Sequence, residues 1–171
     1  MPILDASDSE NLLSPPTNDF TFEGFRYLRK KSYICGPIMK TVKEYLHEKT
    51  GMEFVLIPDR KFMMGSNNGQ DQEKPVHEVK LSPYLISKTQ VTEKIWEKIM
   101  GYSATHLESE DIPVIGVTWD ECQEFCKKAG VKLPTEAQWE CACRGGSTTD
   151  YCYGNDKGTL GDYAWHRTNS R

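Results

Sequence analysis

The sequence predicts an α+β fold, and two kinds of pattern support this prediction. Short apolar runs of strand length occupy the middle of the chain: MEFVLIP, KFMMGS, PVHEVKL and PYLISKTQV. Two capping boxes follow, Thr118 with Glu121 and Thr135 with Gln138, and each marks the beginning of a helix. Strands that precede a group of helices, without regular alternation, are typical of α+β domains.

Length and composition indicate one globular domain, since 171 residues with 37% apolar side chains can bury a core. The net charge of −4 argues against a nucleic-acid partner. The longest apolar run, Phe54 to Ile57, is far shorter than the roughly 18 residues that a membrane span requires. The N-terminus is acidic and serine-rich, unlike a secretory signal, so we expect a cytoplasmic protein with reduced cysteines.

The N-terminal third divides into a tail and an extension. Residues 1–19 contain SPP and several Ser and Asp residues, which predicts a disordered tail. Residues 20–50 are expected to be a helical extension, because apolar residues recur at helical spacing from Pro37 to Thr50 and Gly51 would end the helix. The basic cluster RYLRKKSY within it favours a solvated helix face or tail over a phosphate-binding surface.

From residue 51 onward the elements are short. A turn at Pro58-Asp59-Arg60 joins the first two strands, and a polar loop, NNGQDQEK, follows the second. In PVHEVKL, alternation places Val79 and Leu81 on one face. Thr92 caps a helix that ends at Gly101, and PVIGV reads as a short buried strand.

The segment KLPTEAQWECACRGG predicts a structural helix. Helical residues turn by about 100° each, so Cys141 and Cys143 point to nearly opposite sides and cannot jointly hold a metal or form a disulfide. Trp139, Ala142 and Cys143 share one face, which we expect to be buried. Replacing Trp139 with alanine would then cost about 3–5 kcal/mol of stability.

Other candidate ligands favour structural roles. Cys122 and Cys126 lie four residues apart on one helix side, in line with Trp119, which allows half of a metal or redox site but fits core packing better. The four histidines, at positions 47, 77, 106 and 166, form no local ligand pair. The oxygen-rich NNGQDQE does not have the spacing of a calcium loop, so a solvated hairpin loop is the better interpretation.

Five blocks in order resemble the formylglycine-generating enzyme family, the sulfatase-modifying factors: GMEFVLIPDRKFMMGS, EKPVHEVKLSPYLISKTQVT, PVIGVTWDECQEFC, KLPTEAQWECACRGG and LGDYAWHRTNS. The resemblance covers residues 51–171. It implies a fold related to C-type lectins with little regular secondary structure, and a parent reaction in which copper and oxygen oxidise a sulfatase cysteine to formylglycine.

The resemblance also implies that the domain is incomplete at its C-terminus, because the family's copper-binding cysteine pair and its later blocks have no counterpart in this chain. We therefore assign no catalytic, cofactor-binding or metal-binding residue. No cofactor is expected in this chain itself, with calcium left open. The aromatic-rich segment 151–165 is expected to be exposed and mobile, because its family counterpart packs against later residues.

Two function classes follow. The chain is expected to be inactive alone and to need a complementing C-terminal polypeptide before it acts on a sulfatase-like protein. The alternative is a non-enzymatic, C-type-lectin-like binding or interaction module, and self-association is open in both cases. The sulfoxide-synthase branch of the family is disfavoured, since its histidine-rich N-terminal domain has no match among residues 1–50, which contain only His47.

Overall fold

The computed structural model describes residues 2–5, 23–35, 38–105, 111–164 and 166–169, and gives no side chains for residues 4–5 and 32–41. The strands are β1 (Ile3–Asp5), β2 (Phe25–Cys35), β3 (Ile38–His47), β4 (Glu53–Ile57), β5 (Arg60–Met64), β6 (His77–Leu81) and β7 (Tyr84–Ser87). The helices are α1 (Glu93–Met100), α2 (Trp119–Ala129) and α3 (Glu136–Arg144). Short 3-10 helices cover Asp71–Glu73 and Lys157–Asp162.

The strands form two antiparallel sheets. The larger has the order β1-β7-β4-β3-β2, and the smaller consists of β5 and β6. The main core lies between the larger sheet and helices α1 and α2, and its members include Tyr45, Phe54, Leu85, Trp96 and Phe125. The α+β prediction is confirmed, and the strands predicted within MEFVLIP, KFMMGS, PVHEVKL and PYLISKTQV form as β4, β5, β6 and β7.

The helix predicted from Pro37 to Thr50 is wrong, because residues 38–47 form strand β3. This strand pairs with β2 on one edge and with β4 on the other, which places it inside the sheet. Local apolar spacing favoured a helix, but pairing with the strands on both sides, β2 and β4, overrides such a local preference. The basic cluster is likewise part of a strand, β2, and not of a helix or a tail.

A buried carboxylate explains one of these basic residues. Glu44 on β3 is fully buried, and its carboxylate lies 2.6 Å from Arg29 Nε and 3.1 Å from Lys88 Nζ. Lys88 also contacts Glu53 at 2.6 Å. A charge taken out of water needs such partners, so the four residues link β2, β3, β4 and the end of β7.

The predicted disordered tail is wrong at its beginning. Ile3 is buried, and its N–H and C=O exchange hydrogen bonds with Lys132 at 2.6 and 2.7 Å. Strand β1 also pairs with β7, so residues 3–5 close one edge of the larger sheet. The rest of the predicted tail, residues 6–19, lies outside the described residues.

The buried strand predicted at PVIGV is also wrong. Val114 N–H donates to Val91 O at 2.9 Å, and Pro113 forms an isolated bridge with Thr92, but no strand develops. Ile115 is 59% exposed. This segment is an extended connection to α2, and its apolar side chains lie only partly inside the core.

The helix boundaries agree with the sequence. Thr92, Thr118 and Thr135 cap the three helices, and both capping boxes are formed. The three helices end at left-handed glycines: Gly101, as predicted, Gly130 and Gly145. None of the described helices is long and apolar enough to cross a membrane.

Helix α3 buries a different face from the one predicted. Cys141 and Cys143 do point to opposite sides, but Cys141 is buried whereas Cys143 is exposed and Trp139 is 50% exposed. Tyr84, which is fully buried on β7, donates its hydroxyl to Gln138 O at 2.7 Å. This contact turns Gln138 and Cys141 toward the larger sheet and Trp139 away from it.

Removing the α3 cap should destabilise the protein modestly. Thr135 Oγ1 accepts from Gln138 N at 3.2 Å, while Gln138 Oε1 accepts from Thr135 N at 2.9 Å. We expect Thr135→Ala to lower the free energy of unfolding by about 1 kcal/mol, because a backbone N–H loses its acceptor. Denaturant melts measure this, with Thr135→Ser as the control that keeps the oxygen. Equal stability of the alanine variant and wild type would contradict the cap.

Candidate functional site

A groove of about 1130 Å³ lies between the β5–β6 hairpin and the C-terminal part of α3. We call it the β5 groove. One wall comes from β5 and the loop that follows it, and the other from residues 144–151. The lining mixes apolar and polar side chains, among them Phe62, Met63, Val76, Asn67, Ser147 and Tyr151.

A charged pair on α3 fixes the two walls together. Gly65 N–H donates to Glu140 Oε1 at 2.9 Å, and Arg144 Nη2 donates to Gly65 O at 2.8 Å. Arg144 and Glu140 also contact each other at 2.6 Å. Gly65 has φ of +95°, and a Cβ there would lie 2.3 Å from Glu73 O, so this position requires glycine.

Tyr84 and Cys141 lie together where α3 meets the larger sheet. Burial, followed by the adjacent Cys141 thiol, raises the pKa of the Tyr84 phenol far above its ordinary value of 10.0. The phenol is therefore neutral at physiological pH and donates its proton to Gln138 O. Its role in the described structure is to hold α3 on β7.

Three cysteines, Cys122 and Cys126 on α2 and Cys143 on α3, lie in surroundings that favour the protonated thiol. Burial raises the pKa of Cys126 to about 11, and burial also raises the pKa values of Cys122 and Cys143. Cys126 belongs to the main core, as the sequence predicted. Since the thiolate is the nucleophile and the metal ligand, these three thiols are poorly suited to either task.

The described histidines each have a local hydrogen-bond partner. His47 is buried with Nδ1 2.8 Å from Thr50 Oγ1, His77 Nδ1 is 3.0 Å from Pro75 O, and His166 Nδ1 is 3.0 Å from Thr168 Oγ1. His106 lies outside the described residues. Among the residues that the structure places, no three His, Cys, Asp or Glu side chains are arranged to hold a metal ion.

The oxygen-rich loop after β5 uses its side chains internally. Asn67 Oδ1 accepts from Val76 N at 3.4 Å, and the Glu73 carboxylate accepts from Gln70 N at 3.2 Å. Asp71 pairs with Lys74 at 3.0 Å. These contacts close the hairpin loop, which agrees with the interpretation of this segment from its spacing.

A second surface feature is three exposed large apolar side chains, which lie apart because α2 and α3 pack on opposite faces of the larger sheet. Trp119 at the start of α2 is 67% exposed, and Ile115 and Trp139 are also exposed. Nearby, Tyr102 donates its hydroxyl to Glu121 at 3.1 Å. We call Ile115, Trp119 and Trp139 the exposed apolar residues.

The aromatic segment near the end of the chain is partly packed. Tyr153 stacks on Tyr151 with ring centroids 5.1 Å apart, and on Tyr163 at 4.2 Å. Tyr151 and Tyr153 are half-buried, whereas Tyr163 is exposed. The exposure predicted for this segment is thus confirmed for Tyr163 only. Trp165 lies outside the described residues. The predicted mobility of the segment stays a prediction.

Comparison with known families decides the relationship. Residues 40–171 match the family described as "Sulfatase-modifying factor enzyme 1-like domain". The chain belongs to this family. The predicted resemblance is confirmed, and the match begins inside β3, before the boundary at residue 51 that the sequence blocks suggested.

The relatives of this sulfatase-modifying-factor-like chain include active and inactive enzymes. It is 45% identical to the formylglycine-generating enzyme of Bos taurus over 51 residues, which are 30% of this chain and 14% of that protein. It is 24% identical to the inactive C-alpha-formylglycine-generating enzyme 2 of Bos taurus, over 56% of this chain and 50% of that one. The chain thus spans half or less of the length of these curated relatives.

A solved structure supports the fold. Treponema denticola variable protein 1 superimposes with a TM-score of 0.58 at 22% identity, covering 82% of this chain and 65% of that one. The fold is therefore that of the formylglycine-generating enzyme and C-type-lectin-like group. At this level of identity the likeness concerns the fold alone.

Sequence reasoning missed the β5 groove and the buried Glu44. The groove arises because Gly65 meets Glu140 and Arg144, which lie 75 and 79 residues further along the chain. The sequence signal that could have indicated it is Gly65, the glycine directly after KFMM, together with Glu140 and Arg144, an acidic and a basic residue one turn apart on α3.

Proposed function

We propose that this chain supplies the scaffold part of a sulfatase-modifying-factor domain and that catalysis requires residues from a complementing C-terminal polypeptide. The parent reaction is oxidation of a cysteine in a sulfatase-like protein to formylglycine. The observation that carries the proposal is the match of residues 40–171 to the family, and the exposed side chains of Trp119 and Trp139 are two points at which a partner could pack.

The chemistry of the described thiols supports the same proposal. Oxidation of a substrate cysteine by this family uses copper held by thiolates, whereas Cys122, Cys126 and Cys143 have raised pKa values. The copper ligands would then belong to the complementing polypeptide, and this chain would position it through α2 and α3.

An activity assay tests the proposal. The purified chain, with or without added copper, is expected to leave the cysteine of a sulfatase-derived peptide unmodified, as measured by mass spectrometry against a no-protein control. Turnover above that control would overturn the proposal, and Cys-to-Ser replacements would then locate the reactive thiol.

Binding of the second half provides the complementary measurement. A polypeptide comprising the C-terminal half of a curated family enzyme is expected to bind and to shift the fluorescence of wild type. The shift is expected to be smaller in Trp119→Phe and in Trp139→Phe. No binding, together with a monomeric chain that melts cooperatively, would favour the alternative function of a C-type-lectin-like binding module.

A further inference from the structure

The β5 groove meets strand β5 along its open edge. The smaller sheet contains only β5 and β6 among the described residues, so β5 has a strand neighbour on one side only. Four successive residues, Arg60 to Met63, line the groove. Successive side chains point to opposite faces of a sheet, and therefore a groove that contacts all four lies against the edge.

The contact at Gly65 shows which backbone groups face the groove. Gly65 N–H points to Glu140 on α3, away from β6, so the carbonyl of the same peptide unit, Met64 C=O, points toward β6. In an antiparallel pair the orientation alternates along the strand. By this alternation Met64, Phe62 and Arg60 would bond to β6, whereas Lys61 and Met63 would direct their N–H and C=O groups outward.

Glu140 and Arg144 already act as a short substitute for a neighbouring strand. Glu140 accepts a hydrogen bond from Gly65 N–H, and Arg144 donates one to Gly65 C=O. A strand residue paired with a neighbouring strand would make the same two kinds of bond. Lys61 and Met63 continue this edge, and among the described residues neither makes a backbone hydrogen bond outside the β5–β6 pair. Such an edge is a template for strand addition.

The charges around the groove specify the peptide further. Its lining contains four cations, Arg60, Lys61, Arg144 and Lys157, and two acids, Glu73 and Asp150. Lys61 pairs with Glu78, and Arg144 pairs with Glu140. Within the described part of the chain, Arg60 and Lys157 have no carboxylate partner. These two cations can therefore each pair with a carboxylate of a bound peptide.

We infer that the β5 groove binds an extended, acidic peptide segment, which adds to β5 as a third strand of the smaller sheet. Main-chain bonds to Lys61 and Met63 would hold the peptide backbone, and Arg60 and Lys157 would pair with its carboxylates. This inference goes beyond the proposed scaffold function, because peptide binding does not depend on cysteine oxidation or on a complementing half.

Hydrogen exchange of the free and peptide-bound chain tests the backbone part. In the free protein the amides of Lys61 and Met63 should exchange faster than those of Phe62 and Met64, which face β6. A blocked octapeptide of alternating valine and glutamate should slow exchange at Lys61 and Met63. Equal protection of all four amides in the free protein would overturn the inference, because the edge would not be open.

Titration calorimetry with matched peptides tests the chemistry. The same octapeptide with N-methylated amides should bind about 2- to 10-fold more weakly, as expected for each lost hydrogen bond. The valine–lysine version should not bind detectably. Arg60→Gln and Lys157→Gln should each weaken binding of the acidic peptide about 2- to 5-fold, as for exposed ion pairs.

Lys80→Gln, which removes an exposed lysine from β6, is the matched control and should leave the affinity unchanged. Equal affinity for the acidic and N-methylated peptides would overturn strand addition. Equal weakening in Lys80→Gln and Lys157→Gln would show that only the overall charge matters. Peptide binding with this pattern together with turnover in the formylglycine assay would support this inference and overturn the proposed function. No peptide binding together with no turnover would do the reverse.

Discussion

Replacing Trp96 with alanine is expected to lower the free energy of unfolding by about 3–5 kcal/mol, the range for removing a buried tryptophan. Trp96 is 2% exposed and its ring stacks on Phe125 at 5.3 Å with an interplanar angle of 2°. It joins α1 to α2 above the larger sheet. Its loss would open a cavity that two helices and a sheet cannot readily fill.

Two control variants make this result specific. Trp139→Ala should change stability by under about 1 kcal/mol, since half of that ring is already in water. Trp96→Phe should cost much less than Trp96→Ala, because it keeps an aromatic ring against Phe125. It also removes an indole N–H that has no hydrogen-bond partner in the described part of the chain. Denaturant unfolding of Trp96→Ala, Trp96→Phe and Trp139→Ala measures how much unfolding free energy each variant loses.

If Trp139→Ala proved as destabilising as Trp96→Ala, α3 would bury the face with Trp139 and Cys143 that its sequence first suggested. Trp139 would then not count among the exposed apolar residues. The free chain would then offer less surface to a complementing polypeptide. The comparison therefore bears on the proposed function as well as on the core.

The features predicted correctly from the sequence are those set by neighbours in the chain. A capping box needs only Thr135 and Gln138, three residues apart, and its hydrogen bonds form in any helix that begins there. Left-handed glycines at helix ends depend equally on local backbone geometry. Strands of alternating pattern, such as β6, belong to the same class because one face is half-buried and the other is exposed.

The features predicted wrongly depend on distant residues. Strand β3 contains Glu44 and His47 among its buried residues, and neither would be placed in a core by a local rule. Glu44 is accommodated by Lys88, 44 positions away in sequence but on the adjacent end of β7. A pattern of four apolar residues could not reveal that partner, so the local helical spacing prevailed.

The face of α3 and the β5 groove follow the same logic. The sequence alone suggested that Trp139, Ala142 and Cys143 face the core. Instead Gln138 and Cys141 do, because Gln138 O accepts a hydrogen bond from the hydroxyl of Tyr84, 54 residues earlier in the chain. The open edge of β5 is visible only once the sheet order is known. The family resemblance supplied the fold, but the position of these contacts in this chain required coordinates.

The second large effect is a loss of stability in acid that originates at His47. This residue is 4% exposed and stacks on Phe25 with ring centroids 4.5 Å apart. Burial, with smaller contributions from Lys49 and Lys98, lowers the pKa of His47 to about 4. The two lysines are held near it, since Lys49 Nζ donates to Lys128 O and Lys98 Nζ donates to Thr50 O.

The sign of the effect follows from proton binding in the two states. An unfolded histidine has a pKa of about 6.5, so between about pH 6.5 and 4 the unfolded chain binds a proton that the folded chain excludes. The contribution of His47 to stability is therefore complete above pH 6.5 and decreases as the pH falls to 4. A difference of about 2.5 pKa units corresponds to about 3 kcal/mol.

His47→Asn isolates this contribution from the carboxylates that titrate in the same range. Asparagine does not ionise, and its amide can still bond the Thr50 hydroxyl that lies 2.8 Å from His47 Nδ1. Between pH 6.5 and 4, wild type should lose about 3 kcal/mol more than the variant in urea melts. A direct titration of the His47 ring by NMR should give the same low pKa. Parallel stability curves for the two proteins would mean that the imidazole is solvated, and that β3 does not carry it into the core beside Phe25 and Phe54.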